Sequence, residues 1–299
     1  MLTRFSSPTK IVIMRADLSM IEIGTGIDPQ WSPDGMRVAY WANTPGGLDD
    51  IFTMNIDGSD VRNMTNSAAD YEERPIWSPD GSMIAFDALV ARYGVGVMRS
   101  DGSDRRFLTV SQRYNYISWY ADGSAIVFQK PVGKSRQIYR INADGSGETA
   151  LTTDTTGRFY GACVSPNRRY VSYSRYDSLY PVAMIIKELD SGREKELAGG
   201  LIGGIWSPQS DWVYSTELLG TGNIIVRINP QTMMKQDLSQ KPFGRAYNDG
   251  HSSLTRDGKW LAFYSNRSGV NLIYLMASDG SRQQQITTDP QLANPLWKP

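Results

Sequence analysis

This sequence of 299 residues contains one cysteine, Cys163, and one histidine, His251. A single cysteine excludes a disulfide bond within the chain, and one residue of each type cannot supply a Cys/His zinc site. The cysteine lies in the apolar stretch GACVSP, which favours a buried, unreactive thiol. We therefore expect no metal site built on these side chains and no cofactor attached through them.

The sequence also lacks an excess of charge, since Lys plus Arg and Asp plus Glu each number 31. A balanced composition lacks the basic footprint of a nucleic-acid-binding protein, so we expect no nucleic-acid partner. No apolar run approaches the ~18 residues that a membrane helix needs, and the N-terminus lacks the apolar segment of a secretory signal. We expect no membrane insertion. The sequence leaves three locations open: the cytoplasm, a virion, or the periplasm if an export signal has been removed.

What the sequence does contain is a phrase built around Trp-Ser-Pro-Asp-Gly that recurs along the whole chain. The copies lie 42 to 48 residues apart, and each is followed by two short apolar runs and a second turn, usually Asp-Gly-Ser. They are WSPDG at Trp31 and Trp77, WYADG at Trp119, VSPNR at Val164, WSPQS at Trp206, LTRDG at Leu254 and WKP at Trp297. Short runs rich in β-branched and aromatic residues between Asp-Gly turns predict strands joined by hairpins. A four-stranded unit of about 40–45 residues is typical of a β-propeller blade.

The recurring phrase is itself predicted to be structural. Proline presets the backbone of a turn, aspartate binds nearby amides, and glycine supplies the positive φ that a tight hairpin requires. We expect the tryptophan to end the innermost strand and to pack between blades. A catalytic group would not be repeated in every blade.

The number of blades follows from the repeats. Six repeats, beginning near residues 27, 72, 114, 159, 201 and 249, contain all four strands. The C-terminal LANPLWKP supplies a first strand, and the N-terminal MLTRFSSPTKIVIMRADLSMIEIG supplies the other three. The sequence therefore predicts an all-β fold in a single domain over 1–299: a β-propeller of seven four-stranded blades, the last closed by pairing N- and C-terminal strands. Six blades with an accessory hairpin are the alternative.

Two segments carry a resemblance to a known family. The phrases RPIWSPDGSMIAF and LIYLMASDGSRQQQIT closely resemble the WD-repeat-like propeller repeats of the bacterial TolB family, and the resemblance covers essentially the whole chain. It implies a propeller that binds partner proteins at its central opening. Related repeats also occur in propellers attached to peptidases of the prolyl oligopeptidase type.

Motifs for catalysis are missing from the sequence. It has neither the nucleophile elbow G-x-S-x-G nor a phosphate-binding G-x-x-x-x-G-K-[ST] loop. The stretch NDGHSSL places Asp249 near His251, yet it belongs to an innermost strand, where a polar residue at the mouth of the ring is the simpler interpretation. One histidine cannot supply the several that hold the metal in propeller lyases with related repeats. Calcium binding by the Asp-rich turns stays open, although the EF-hand spacing is missing. We expect a protein that is not an enzyme.

Two groups of residues are candidates for partner binding. The position three residues before each tryptophan equivalent should lie near the mouth of the central channel, where it forms a chemically uneven ring suited to a peptide or simply lines a water-filled channel. These residues are Asp28, Arg74, Tyr116, Gly161, Gly203, His251 and Asn294. The second candidate is a tyrosine- and arginine-rich face on blade four, since these residues are enriched in interface hot spots. It comprises Arg158, Arg168, Arg169, Arg175 and Tyr176.

Three functions fit these observations. The leading hypothesis is a non-catalytic scaffold that binds a protein or peptide partner at the channel mouth or on a blade face. The second is a structural component of a larger assembly, such as a phage virion or a surface complex. The third is a carbohydrate-binding or carbohydrate-lyase propeller, which the aromatic content permits. The sequence does not identify the partner or the oligomeric state.

Overall fold

The computed structural model of the chain describes residues 1–46, 48–67, 70–90, 92–110, 116–154, 157–177, 180–219, 222–239 and 248–299. The regular structure in these ranges is β-strand throughout, in a β-propeller arrangement, so the predicted fold class is confirmed. None of the described residues forms a helix long and apolar enough to cross a membrane.

The strands are short and follow one another at the spacing of the sequence repeat. In chain order they are β1 (Leu2–Arg4), β2 (Lys10–Met14), β3 (Met20–Thr25), β4 (Ile27–Trp31), β5 (Arg37–Asn43), β6 (Asp49–Asn55), β7 (Arg62–Asn63), β8 (Tyr71–Trp77), β9 (Met83–Val90), β10 (Arg92–Arg99), β11 (Arg106–Val110), β12 (Ser118–Trp119), β13 (Ala125–Val132), β14 (Ser135–Asn142), β15 (Thr149–Ala150), β16 (Arg158–Val164), β17 (Tyr170–Asp177), β18 (Tyr180–Glu188), β19 (Glu194–Ala198), β20 (Gly200–Trp206), β21 (Val213–Leu218), β22 (Asn223–Ile228), β23 (Lys235–Asp237), β24 (Asp249–Leu254), β25 (Trp260–Ser265), β26 (Leu272–Ala277), β27 (Gln284–Gln285) and β28 (Leu292–Ala293).

The described strands form five separate four-stranded sheets, so the predictions of seven and of six separate four-stranded blades are both wrong. Four of the five follow chain order: β4 to β7, β8 to β11, β20 to β23 and β24 to β27. The fifth has the order β28-β1-β2-β3, which places the C-terminal strand beside the N-terminal one, as the sequence predicts.

The other eight strands form one sheet, and this is why the count differs from the repeat count. Its order is β12-β13-β14-β16-β17-β18-β19, with β15 paired to β14 off this path. The strand β15 has two residues and pairs only Ala150 with Tyr139 and Thr149 with Arg140. The strands of two consecutive repeats are therefore counted in one sheet.

The chain divides into two compact units. The first comprises Met1, Thr3–Thr155 and Lys298–Pro299, and the second comprises Leu2 and Thr156–Trp297. Each has its own buried apolar clusters, represented by Ile126 and Phe128 in the first and by Met184 and Val226 in the second. The organisation of 1–299 as a single domain stays a prediction.

The Trp-Ser-Pro-Asp-Gly phrase forms a turn closed by its own side chains. The Ser32 hydroxyl donates to Asp34 Oδ1 at 2.6 Å and accepts the backbone N–H of Arg37 at 2.9 Å. The same carboxylate oxygen accepts the N–H of Met36 at 2.9 Å. These hydrogen bonds satisfy the polar groups of the turn, and the serine-to-aspartate bond holds the pKa of Asp34 below its usual range.

Three tryptophans of the phrase link neighbouring inner strands within a unit, whereas Trp77 Nε1 is buried without a hydrogen-bond partner. In the first unit, Trp119 Nε1 donates to the carbonyl oxygen of Ile76 at 3.1 Å. In the second, Trp206 Nε1 donates to the Cys163 carbonyl at 2.9 Å, and Trp297 Nε1 to the Ser253 carbonyl at 3.0 Å. In every case the acceptor is the residue just before the motif of the preceding repeat. The predicted packing between blades is therefore accompanied by a directional hydrogen bond.

A hydroxyl near the end of four repeats has an equally regular role. The Thr65 hydroxyl accepts the N–H of Ile51 at 3.0 Å, and the Thr152 hydroxyl accepts that of Ile138 at 2.9 Å. In the second unit the Ser239 hydroxyl accepts the N–H of Ile225 at 2.8 Å, and the Thr287 hydroxyl accepts that of Ile273 at 2.9 Å. These hydroxyls are buried, and each satisfies a buried backbone donor that the outermost strand leaves unpaired.

The glycine of the Asp-Gly-Ser turn packs tightly against the preceding blade. Gly58 has a φ of +83°, and a Cβ at this position would lie 2.5 Å from the carbonyl oxygen of Ile23. Gly280 has a φ of +88°, and its Cβ would lie 2.7 Å from the carbonyl oxygen of Leu238. The sequence predicted the positive φ; the close approach to the neighbouring backbone is a second requirement for glycine.

We expect Gly58→Ala to destabilise the protein by more than Gly123→Ala. Both glycines have positive φ, but a Cβ at Gly123 meets nothing within 4 Å, so this control isolates the backbone strain of about 1–2 kcal/mol. The clash with the Ile23 carbonyl adds to that strain at Gly58. Urea denaturation of both variants measures the difference, and equal losses would show that the turn does not press against β3.

Candidate functional site

The residue three positions before each tryptophan equivalent occupies a backbone bulge. Positive φ angles occur at Asp28 (47°), Arg74 (56°), Tyr116 (45°), Gly161 (64°), Gly203 (67°) and Asn294 (52°). In β4, β8, β16, β20 and β24 the pairing register with the next strand shifts at this place. A bulge re-aims its side chain out of the ladder and is common beside functional sites. Arginine and tyrosine are strained at positive φ, a feature that clusters at binding and active sites.

In the first unit the structure brings two of the predicted residues together. The Arg74 guanidinium carbon lies 5.6 Å from the centre of the Tyr116 ring, within cation–π range. Tyr116 is 47% exposed. Asp28 is held within its own sheet, because Trp41 Nε1 donates to its carboxylate at 3.1 Å. The first unit therefore presents an exposed tyrosine, a half-buried arginine packed on it and an anchored carboxylate at these positions.

In the second unit two of the corresponding positions are glycines and have no side chain. A Cβ added to Gly161 would lie 3.6 Å from Gly203 Cα, so these two bulges are neighbours. Asn294 follows β28 and is partly exposed. The side chain of His251 lies outside the described residues. These positions therefore carry an arginine and a tyrosine in the first unit and two glycines in the second, and their arrangement as a ring at the channel mouth stays a prediction.

The predicted blade-four face is divided between the two ends of its strands. Arg158 pairs with Tyr176 across β16 and β17, and the Tyr176 ring lies 4.6 Å from that of Tyr160. Arg175, one residue earlier, is ion-paired with Glu196 at 2.6 Å. Arg168 and Arg169 lie in the turn before β17, at the opposite end of the strand. Since β17 rises about 3.3 Å per residue, roughly 20 Å separates these two groups, and they do not form one surface.

The turn that carries Arg169 borders a cleft that sequence reasoning missed. Its volume is about 310 Å³, and its polar lining includes Arg169, Glu188, Arg193, Lys195 and Gln231. Arg169 lies 2.8 Å from Glu188, and its guanidinium carbon lies 5.2 Å from the centre of the Tyr170 ring. A signal was present in the sequence, because the turns at Asp190-Ser191-Gly192 and Asn229-Pro230-Gln231 replace the usual Asp-Gly-Ser.

Two buried carboxylates also escaped the sequence analysis. Glu72 is completely buried in the first unit, and Arg105 Nη1 donates to its Oε1 at 3.1 Å while Oε2 has no hydrogen-bond partner. Burial raises the pKa of Glu72 to about 8, against the opposing charge of Arg105. In the second unit Asp249 occupies the corresponding position in β24, where Arg267 Nη2 donates to Oδ2 at 2.8 Å and Oδ1 is buried without a partner. Buried charges of this kind stabilise only when fully paired.

The turn carboxylates are occupied by hydrogen bonds within their own turns. Asp57 Oδ1 accepts the N–H of Ser59 at 2.9 Å and its hydroxyl at 2.6 Å, and Asp279 does the same with Ser281. These bonds hold the pKa values of Asp57 and Asp279 below their usual range. Across the described ranges, no three His, Cys, Asp or Glu side chains are grouped as metal ligands.

Comparison with known proteins gives similarity at two levels. The family model described as the TolB beta propeller domain matches residues 15–176, more than half of the chain. Among curated proteins, the uncharacterized peptidase YuxL of Bacillus subtilis (strain 168) is 35% identical over 57 residues, which is 19% of this chain. The matched segment spans only 8% of that protein's own length.

Solved structures extend the similarity to nearly the whole chain. TolB from Acinetobacter baumannii aligns with a TM-score of 0.63 and 17% identity, over 89% of this chain and 67% of that one. Oligogalacturonate lyase from Vibrio parahaemolyticus aligns with a TM-score of 0.68 and 12% identity, over 92% of this chain and 83% of that one. At such identities the similarity concerns the fold, which hosts both binding proteins and enzymes.

Proposed function

We propose that this chain, which belongs to the TolB beta propeller domain family, is a non-catalytic propeller that binds a protein or peptide partner through the bulge residues of its inner strands. The family resemblance supports a binding role. A peptidase and a lyase are among the similar proteins. The lack of catalytic activity is therefore itself a proposal, and it is tested together with the binding.

The observation that carries the proposal is the pair formed by half-buried Arg74 and exposed Tyr116. Both residues have positive φ, which costs free energy for side chains of this size. Tyrosine and arginine are the residues most often found at the energetic centres of protein interfaces, together with tryptophan. An Arg–Tyr pair with strained backbone and an exposed tyrosine supports a contact surface better than it supports a structural role, because glycine occupies the same position at Gly161 and Gly203.

The proposed partner can be captured through the same position. A photoreactive phenylalanine analogue placed at Tyr116, which is 47% exposed, should cross-link the partner in the cells that make the protein. The same analogue at Phe107, which is 42% exposed on β11, controls for non-specific labelling. The partner is then the protein cross-linked at Tyr116 and not at Phe107.

We expect Arg74→Glu to weaken binding of that partner by ~1–3 kcal/mol, the range for losing a hydrogen bond to a charged group. The substitution should leave the fold intact because it reverses a charge at a bulge and removes no core contact. Calorimetric titration of the purified partner measures the change. Arg62→Glu is the matched control, since its side chain is 60% exposed and the charge change is identical.

Two outcomes would contradict the proposal. Equal affinities for the parent and Arg74→Glu would move the contact away from this pair. Turnover of peptides or of oligogalacturonate by the pure protein would show catalysis instead of binding alone.

A further inference from the structure

The cleft in the second unit lies where three turns depart from the repeat. In blade four Asn167-Arg168-Arg169 replaces Asp-Gly, and the turn before β19 contains Asp190-Ser191-Gly192-Arg193. In the next blade Asn229-Pro230-Gln231 precedes β23. The fold does not require these changes, because the regular turns close the same connections elsewhere in the chain.

One of these turns also lacks the close backbone contact that the regular turn makes with the preceding blade. A Cβ at Gly58 or Gly280 would lie 2.5 or 2.7 Å from backbone of the preceding blade, whereas a Cβ at Gly192 meets nothing within 4 Å. The loop that carries Arg193 is therefore not pressed against a neighbouring strand. The space that it leaves is part of the cleft of about 310 Å³, at the lower end of the range of small-molecule sites.

The charges that line the cleft do not cancel. Both oxygens of Glu188 are engaged, Oε1 by Arg169 at 2.8 Å and Oε2 by the Ser191 hydroxyl at 2.6 Å. Lys195 donates to the backbone carbonyl of Gln231, which leaves its charge without a counter-ion in the cleft. Within the described residues, the Arg193 guanidinium has no ion pair with Glu188 or any other carboxylate. Two positive charges therefore face the cleft beyond the Arg169–Glu188 pair.

The remaining lining is apolar. Tyr170 and Ile186 are 7% and 2% exposed, and the Tyr170 ring stacks on Trp206 with the centroids 5.9 Å apart. Together with Pro230, they give the cleft a narrow apolar floor beneath its basic rim, with only a small part of the Tyr170 ring open beside Trp206 and the Arg169 guanidinium. Such a floor accommodates a flat or aliphatic group attached to an anionic head.

We propose that this cleft binds a small organic oxyanion, whose carboxylate or phosphate group is held by Arg193 and Lys195 and whose apolar part packs on Tyr170, Ile186 and Pro230. The site uses none of the residues of the partner binding proposed above and is independent of it. The rigid fork of Arg193 favours planar, two-point recognition of an oxyanion, and Lys195 adds a point charge.

The test is an NMR titration of the full-length, ¹⁵N-labelled protein with phenyl phosphate, benzoate and inorganic phosphate at constant ionic strength. We expect saturable shifts at the amides of Ser191 to Lys195 and of Gln231. Phenyl phosphate should bind more tightly than inorganic phosphate, because only the former reaches the apolar floor. The comparison of benzoate with phenyl phosphate identifies which of the two head groups the cleft prefers.

The double substitution Arg193→Ala and Lys195→Ala should lower the affinity by about tenfold or more. Lys259→Ala, on a turn of the same unit with a 74% exposed side chain, is the control and should bind as the parent does. Shifts that do not saturate, or an unchanged affinity in the double variant, would overturn the proposal. Equal binding of phenyl phosphate and inorganic phosphate would also overturn it, because the apolar floor would then play no part.

Discussion

Removal of residues 292–299 is expected to lower the melting temperature drastically or to cause aggregation. The deleted strand β28 begins the sheet that continues with β1, β2 and β3. Leu292 in this strand is 1% exposed, and Trp297 Nε1 donates to the Ser253 carbonyl at 3.0 Å. The lost burial is worth on the order of 4–6 kcal/mol at ~25 cal/mol per Å², and a typical domain has only about 5–15 kcal/mol of net stability. The uncovered edge of β1 would also be free to pair with other chains.

Differential scanning calorimetry and light scattering measure this outcome. The control is a chain that lacks only Lys298 and Pro299, both of which are exposed, and it should melt close to the parent. If the chain lacking 292–299 melts like this control, the terminal strand contributes little to the sheet.

The second large effect is expected at Glu72, whose replacement by glutamine should remove a loss of stability that develops as the pH rises from 4.5 to about 8. Burial raises the pKa of Glu72 from its ordinary value of 4.5 to about 8, and the nearby Asp50 and Asp70 charges add to this while Arg105 opposes it. Between these two pH values the unfolded chain has released the proton that the folded protein still holds. Folding stability therefore falls as the pH rises through this window.

The expected size is on the order of 5 kcal/mol, from about 1.4 kcal/mol per pKa unit. At pH 5, 7 and 9, the melting temperature of Glu72→Gln relative to that of the parent should increase as the pH rises. Glu73→Gln is the matched control, because it makes the same chemical change at the adjacent and less buried residue. A constant difference between parent and Glu72→Gln across this pH range would mean that Glu72 is already ionised in the folded protein.

Much of the fold could be predicted because its signals are local. Each turn is determined by residues that touch one another within five positions, such as Ser32 with Asp34 and Arg37. The apolar runs after each turn are the strands that the structure contains. The joining of β12 to β19 in one sheet was not predictable in this way, because it depends on pairing between strands of different repeats.

The candidate sites were predicted less completely, and the reasons are physical. The position three before each tryptophan was identified from the repeat, but its left-handed backbone was not, since arginine and tyrosine rarely adopt it. The stretch Glu72-Glu73-Arg74 has three consecutive charges, which is typical of an exposed segment, yet the first is buried against Arg105. That partner lies 33 residues away, and local patterns carry no information about such a contact. The blade-four residues were grouped by composition alone, and the strand register divides them.

The bulge that precedes each tryptophan has a consequence for engineering. The φ angle is positive with aspartate, arginine, tyrosine, glycine or asparagine at the position. The surrounding strand pairing therefore sets the backbone conformation, and the side chain can vary. These positions are therefore suitable for substitution in engineered variants. Libraries confined to 28, 74 and 116 in one unit and to 161, 203 and 294 in the other should change what the surface recognises without rebuilding the sheets that support it.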